Sequence, residues 1–235
     1  GYGLKIVTTR EVSLVNVEAM GNHLFGAYIE SKDVAIDTAN FSNNSSGDGM
    51  DLTGRGLEII SQNLVALVDV TANNNQLFGA DIVAGSLVSI SQSYFNGHLT
   101  YVYDYFTHEI VSRDGGYGLR VVTPGNISLN RVTADNNYLY GAYLEGDDTP
   151  INSSSFTGNG SGLITEPTGY GLKIISTGSV NLTAVDASNN QLFGADITST
   201  GNVNVISSFF SGHQSVTFSP CLGLTFYGYG LKVVT

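Results

Sequence analysis

Apolar and polar residues alternate with a period of two along most of this chain, in short segments that return in a fixed order between Asn- and Gly-rich turns. Successive side chains of an extended backbone point to opposite faces, so this alternation is a strand signal. No segment carries the three-to-four-residue spacing of an amphipathic helix, and the pattern predicts an all-β protein.

Two phrases alternate along the sequence. One reads "GYGLKIVT" at Gly1, "GRGLEIIS" at Gly54, "GYGLRVVT" at Gly116, "GYGLKIIS" at Gly169 and "GYGLKVVT" at Gly228. The other reads "HLFGAYI" at His23, "QLFGADI" at Gln76, "YLYGAYL" at Tyr138 and "QLFGADI" at Gln191. Each is followed by an alternating apolar segment and an Asn-rich turn. The last turn residue forms the column Asn22, Asn44, Asn75, His98, Asn137, Asn159, Asn190 and His213, and the ten preceding residues align on it without a gap.

Eight residues before this anchor stand Leu14, Ile36, Leu67, Ile90, Leu129, Ile151, Leu182 and Val205, an inward strand position. Three before it, Ala19, Phe41, Ala72, Phe95, Ala134, Phe156, Ala187 and Phe210 alternate small with large, as interdigitating core layers require. The phrases supply a further inner column, Leu4, Ala27, Leu57, Ala80, Leu119, Ala142, Leu172, Ala195 and Leu231. "QLFGADI" is therefore a structural beat.

A repeat of about 23 residues cannot bury its apolar face alone, whereas stacked repeats share a continuous core. The expected architecture is a parallel β-helix, a solenoid of about eight coils. The order G-L-x-I, then V-x-L, then A/F-x-x-N resembles the pectate-lyase-like right-handed β-helix repeat across essentially the whole chain. That resemblance implies a single-stranded right-handed solenoid; it identifies an architecture, not an activity.

A longer period overlies the short one. The phrase starts at 1, 116 and 228 differ by 115 and 112, which divides one continuous domain into a four-coil unit at 1–115, a second at 116–227 and the opening strand of a third at 228–235. Odd coils pass directly to the next, and even coils carry insertions at the same corner. The two longest insertions are aromatic: Tyr101, Tyr103 and Tyr105 alternate in one, as in an extra strand or hairpin, and the other holds Phe218 and Phe226. Loops on a rigid scaffold are where binding concentrates, so these five are the candidate binding residues; covering the solenoid's own flank is the other reading.

Composition narrows the function classes. A net charge of −11, from 9 Lys plus Arg against 20 Asp plus Glu, disfavours nucleic-acid backbones and anionic membranes. The single cysteine, Cys221, leaves no internal disulfide framework, and no apolar run approaches the roughly 18 residues of a membrane-spanning helix.

The outward column of the first strand reads Lys5, Tyr28, Glu58, Asp81, Arg120, Tyr143, Lys173, Asp196 and Lys232. Paired acids beside an arginine could hold Ca²⁺ and a general base. A ladder of mutually offsetting charges is the competing account, because the acid–acid–base order is not repeated in the second unit. Acidic turns at Gly47–Asp51 and Gly146–Asp148 are further candidate Ca²⁺ sites. The histidines His98 and His213 occupy the Asn column and are expected to hydrogen-bond within it. An aromatic column, with Arg55 as its one exception, runs Tyr2, Phe25, Arg55, Phe78, Tyr117, Tyr140, Tyr170, Phe193 and Tyr229, either scaffold or sugar platform.

Strict core periodicity beside a drifting outer face is what a rod requires, whereas an enzyme concentrates one irregular site. The resemblance extends to large bacterial surface or secreted proteins, including filamentous adhesins, which implies an extracellular structural or adhesive role; no catalysis and no cofactor are expected, with Ca²⁺ the one candidate ion. The chain opens and closes within the repeat, so continuation with the same four-coil period or head-to-tail stacking on copies of itself is expected. Glycans or other surface components are the remaining candidate partners; nucleic acid and membrane insertion are not expected. The alternatives are a carbohydrate-binding module and a polysaccharide lyase or hydrolase.

Overall fold

A computed structural model describes residues 1–45, 53–98, 101–104, 109–112, 115–161, 168–213, 216–219, 223–226 and 228–235. The described residues hold no helix, and their strands gather into two long parallel sheets and two short antiparallel ones. The alternating stretches of the sequence are these strands.

The first sheet has nine strands: Tyr2–Val7, Phe25–Ser31, Arg55–Ser61, Phe78–Ala84, Tyr117–Val122, Tyr140–Gly146, Tyr170–Ser176, Phe193–Ser199 and Tyr229–Val234. All pair in parallel and in one register, so that Leu4, Ala27, Leu57, Ala80, Leu119, Ala142, Leu172, Ala195 and Leu231 form one row. The second sheet has eight: Val12–Glu18, Val34–Asn40, Val65–Thr71, Val88–Ser91, Ile127–Asn130, Thr149–Asn152, Val180–Thr183 and Val203–Ile206. The chain alternates between the sheets, an order consistent with a parallel β-helix solenoid. A third line of contact runs through single parallel bridges, from Thr71 through Tyr94, Thr133, Ser155 and Asp186 to Phe209.

The core lies between the sheets. Phe41, Phe95 and Phe156 are wholly buried, as are Ala72, Ala134 and Ala187, which alternate with them in the same column. The Leu/Ala row and the Ile row two residues later line the opposite wall, from Ala27 and Ile29 to Ala195 and Ile197. Large against small from repeat to repeat keeps the interior filled while every strand keeps one register.

Two columns of left-handed backbone make the bends. Six residues before the Asn/His anchor, Asn16, Thr38, Asp69, Gln92, Arg131, Ser153, Ala184 and Ser207 all have φ between 48° and 56°. One residue before the anchor, the same region is occupied by Gly21, Asn43, Asn74, Gly97, Asn136, Gly158, Asn189 and Gly212. The second column uses only Gly and Asn, the residues that enter this region most readily. The first is held there by the surrounding ladder, since Thr, Arg and Ala have no such preference.

Both long insertions contain a hairpin paired with itself. Tyr101–Asp104 runs antiparallel to Glu109–Ser112, with Tyr103 opposite Ile110, and Val216–Ser219 runs antiparallel to Gly223–Phe226, with Phe218 opposite Leu224. Neither adds a strand to the long sheets.

Candidate functional site

The outer face of the first sheet carries the charged column. In-register pairing stacks Lys5, Tyr28, Glu58, Asp81, Arg120, Tyr143, Lys173, Asp196 and Lys232 as successive rungs, about 4.8 Å apart. Its acids are spoken for. Arg120 donates to Asp81 at 2.7 Å, Lys173 donates to Asp196 at 2.5 Å, and Lys232 approaches the other Asp196 oxygen at 3.4 Å. Glu58 accepts from Arg55, three residues earlier on its own strand. The Glu58–Asp81–Arg120 cluster, read in the sequence as a candidate cation and base site, is thus two acids each matched to a guanidinium.

Arg55 does a second job. Stacked rings follow one another from Tyr2 to Phe25 and from Phe78 through Tyr117, Tyr140, Tyr170 and Phe193 to Tyr229, with centroids 4.9 to 5.4 Å apart. Between the two runs the Arg55 guanidinium lies 5.2 Å from the Phe25 ring centre and 5.5 Å from that of Phe78. A planar cation replaces one ring without interrupting the column, through cation–π attraction on both faces. Burial holds the Tyr140 phenol well above its ordinary range, with the neighbouring Tyr170 and Tyr117 adding to the effect. Burial also raises Tyr143, whose hydroxyl donates to Glu145 at 3.1 Å, and the corresponding Tyr28 faces Glu30 in the same way. These hydroxyls are neutral donors at neutral pH.

The anchor column is a side-chain ladder. The N–H of Asn22 donates to Asn44 Oδ1 (2.8 Å), Asn44 to Asn75 Oδ1 (2.9 Å), Asn75 to His98 Nδ1 (3.1 Å), His98 to Asn137 Oδ1 (3.1 Å), Asn137 to Asn159 Oδ1 (2.9 Å) and Asn159 to Asn190 Oδ1 (2.8 Å). His213 closes on the Asn190 carbonyl at 3.1 Å. The ladder satisfies turn N–H groups that no strand reaches, and from Asn44 to Asn190 its members are buried. Burial pushes the His98 imidazole down to about 4, against weaker support from the backbone of Asn75 and Ala72.

A second ladder runs beside the first in the opposite sense, and nothing in the sequence reading anticipated it. Two residues before the anchor, the N–H of Asn73 donates to Ser42 Oγ (3.0 Å), Asn96 to Asn73 Oδ1 (2.8 Å), Asp135 to Asn96 Oδ1 (2.8 Å) and Thr157 to Asp135 Oδ1 (2.6 Å). Each donates to the preceding repeat, whereas each Asn of the first ladder donates to the following one. The signal was present as a column of short polar residues, Ser42, Asn73, Asn96, Asp135, Thr157, Ser188 and Ser211.

Tyr101, Tyr103, Phe218 and Phe226 lie on the two hairpins, and Tyr105 and Cys221 lie outside the described residues. Of the acidic turns, Gly47–Asp51 also lies outside them, while Asp147 accepts from Thr177 Oγ1 at 3.1 Å and Asp148 from the Ser179 N–H at 2.7 Å. Among the described residues, no group of three or more His, Cys, Asp or Glu side chains is placed to share a metal ion. No protein-family profile, characterised protein or solved structure matches this chain.

Proposed function

We propose that this chain is a segment of an extracellular rod: a right-handed, pectate-lyase-like β-helix of about eight coils of ~23 residues, in a bacterial surface fibre or adhesin, with no catalytic role. The observation that carries this reading is the continuity of its ladders. The polar ladder runs from Asn22 to His213 and the stacked column from Tyr2 to Tyr229 at one step per repeat, without converging on any one place. A right-handed crossover between parallel strands is also the hand that strand twist favours.

The four-coil period supports self-association along the axis, by covalent continuation or by head-to-tail stacking. The phrase at Gly228 pairs with Phe193–Ser199 in the register of every earlier junction, so a third unit meets the second as the second meets the first. Loops at alternate coils would then stand in a line along the fibre, with the aromatic hairpins placed to meet a neighbouring rod, a glycan or another surface component.

A second reading, a polysaccharide-binding or polysaccharide-degrading β-helix, is favoured by the half-buried ring column beside Tyr28 and Tyr143. Incubation with acidic and neutral polysaccharides separates the two. The rod reading expects no new reducing or unsaturated ends and no saturable binding that depends on the ring column; turnover lost in Glu58→Gln would overturn it and assign the site to Glu58, Asp81 and Arg120.

A further inference from the structure

One rung in four of the buried ladder is not an asparagine. His98 and His213 occupy the fourth position of each large unit, and each directly precedes the longest insertion of its unit. At an asparagine rung the atom that receives the neighbouring N–H is an amide oxygen, an acceptor at every pH. At His98 it is Nδ1, 3.1 Å from the Asn75 nitrogen, and only an unprotonated Nδ1 can accept there.

We propose that His98 forms an acid-labile seam in the solenoid, to which His213 adds more weakly: protonation breaks the ladder at the fourth coil, where the hairpin insertion departs. A proton on Nδ1 could be donated to the Asn75 carbonyl, also 3.1 Å away, but the Asn75 N–H would then face another donor. Among the described residues, none pairs a carboxylate with this imidazole. His98 is wholly buried between Asn75 and Asn137, and the strands against it present Gly79 and the Ala72 carbonyl. Two acids on those elements are engaged elsewhere: Asp81 with Arg120 on the outer face, and Asp135 with Ser155 Oγ and the Thr157 N–H. His213 is half-buried with Nδ1 3.1 Å from the Asn190 carbonyl, to which a protonated ring still donates, so only burial opposes its charge and its response is the weaker of the two.

The direction of the effect follows from linkage. A histidine kept neutral in the folded chain binds its proton more readily when unfolded, so stability is full above about pH 6.5 and declines as pH falls towards 4. The folding constant is expected to drop by roughly 10²-fold across that window from His98 alone. The Tyr101–Asp104 and Glu109–Ser112 hairpin, which follows the seam in the chain, would be freed first.

The test compares thermal midpoints of the chain from pH 7.5 to 4 with those of His98→Asn, which restores the column's usual residue, and of His98→Asn with His213→Asn. A midpoint that falls with acid in the wild type and is substantially flattened in His98→Asn, more so in the double variant, supports the seam. An unchanged pH profile in both variants overturns it. Should His98→Asn fail to fold, NMR titration of the wild-type imidazole decides: a ring that stays neutral through pH 5 supports the proposal, and one that titrates near 6.5 in the folded chain contradicts it.

Discussion

Gly171 and Asn190 share one space: a β-carbon built on Gly171 would stand 2.5 Å from Asn190 Nδ2. The same relation holds between Gly56 and Asn75 and between Gly118 and Asn137, and at Gly79 the imidazole of His98 takes the amide's place at 2.6 Å. The glycine in each of the first eight first-sheet phrases, from Gly3 to Gly194, is there because the polar ladder lies against its Cα. Strand periodicity and turn chemistry, which look like separate features of the sequence, are one packing constraint.

Gly171→Ala is therefore expected to destabilise the fold strongly. The new methyl group would also meet the carbonyl oxygens of Gly194 at 2.5 Å and Phe156 at 2.7 Å, which are backbone and cannot swing away. A loss of about 3 kcal/mol, at the upper end of overpacking costs, is expected in chemical unfolding. A loss below about 1 kcal/mol would mean that the ladder has room to shift.

Removing a rung tests the ladder itself. Asn159→Ala deletes the acceptor of the Asn137 N–H and the amide that donates to Asn190 Oδ1 at 2.8 Å. A buried donor left without a partner costs about 1–3 kcal/mol. Hydrogen exchange should accelerate at the Asn137 amide more than at the strand amides on either side. Uniform acceleration along the chain would instead indicate a general loss of packing.

The ring column makes a prediction about its exception. Arg55→Ala opens a gap between Phe25 and Phe78 and leaves Glu58 without its guanidinium, at an expected cost of about 1–2 kcal/mol, most of it cation–π attraction because the ion pair is partly exposed. Arg55→Tyr continues the stack and should recover more than half of that loss in the same thermal melt.

Much of this was legible in the sequence because each repeat copies the same positions. The Leu/Ala row, the Ala/Phe column and the Asn anchors are each confined to one or two residue types, and their spacing placed both sheets and their register. The second ladder was not legible, because Ser42, Asn73, Asn96 and Asp135 belong to residue types that turns accept for several reasons. Nor were the bends at Thr38, Arg131 and Ala184, where residues without a left-handed preference are held at positive φ by the stacked neighbours on both sides. Arg55 read as a break in the aromatic column; only the geometry shows a planar cation filling a ring's place.

Those bends carry a cost that can be measured. Ala184, exposed at φ 53°, should tolerate glycine, which enters the left-handed region freely. Relief of about 1 kcal/mol of strain, partly offset by glycine's greater freedom in the unfolded chain, leaves Ala184→Gly neutral to slightly stabilising. Glycine inside an ordinary strand would be destabilising, so the sign of the change in midpoint is diagnostic.

The rod is tested most directly by electron cryomicroscopy of the native material, measuring the axial repeat. Four coils at about 4.8 Å predict a long fibre with a repeat of roughly 19 Å along its axis. Short isolated particles without that repeat would contradict a structural polymer and return attention to the outer face at Glu58, Asp81 and Arg120.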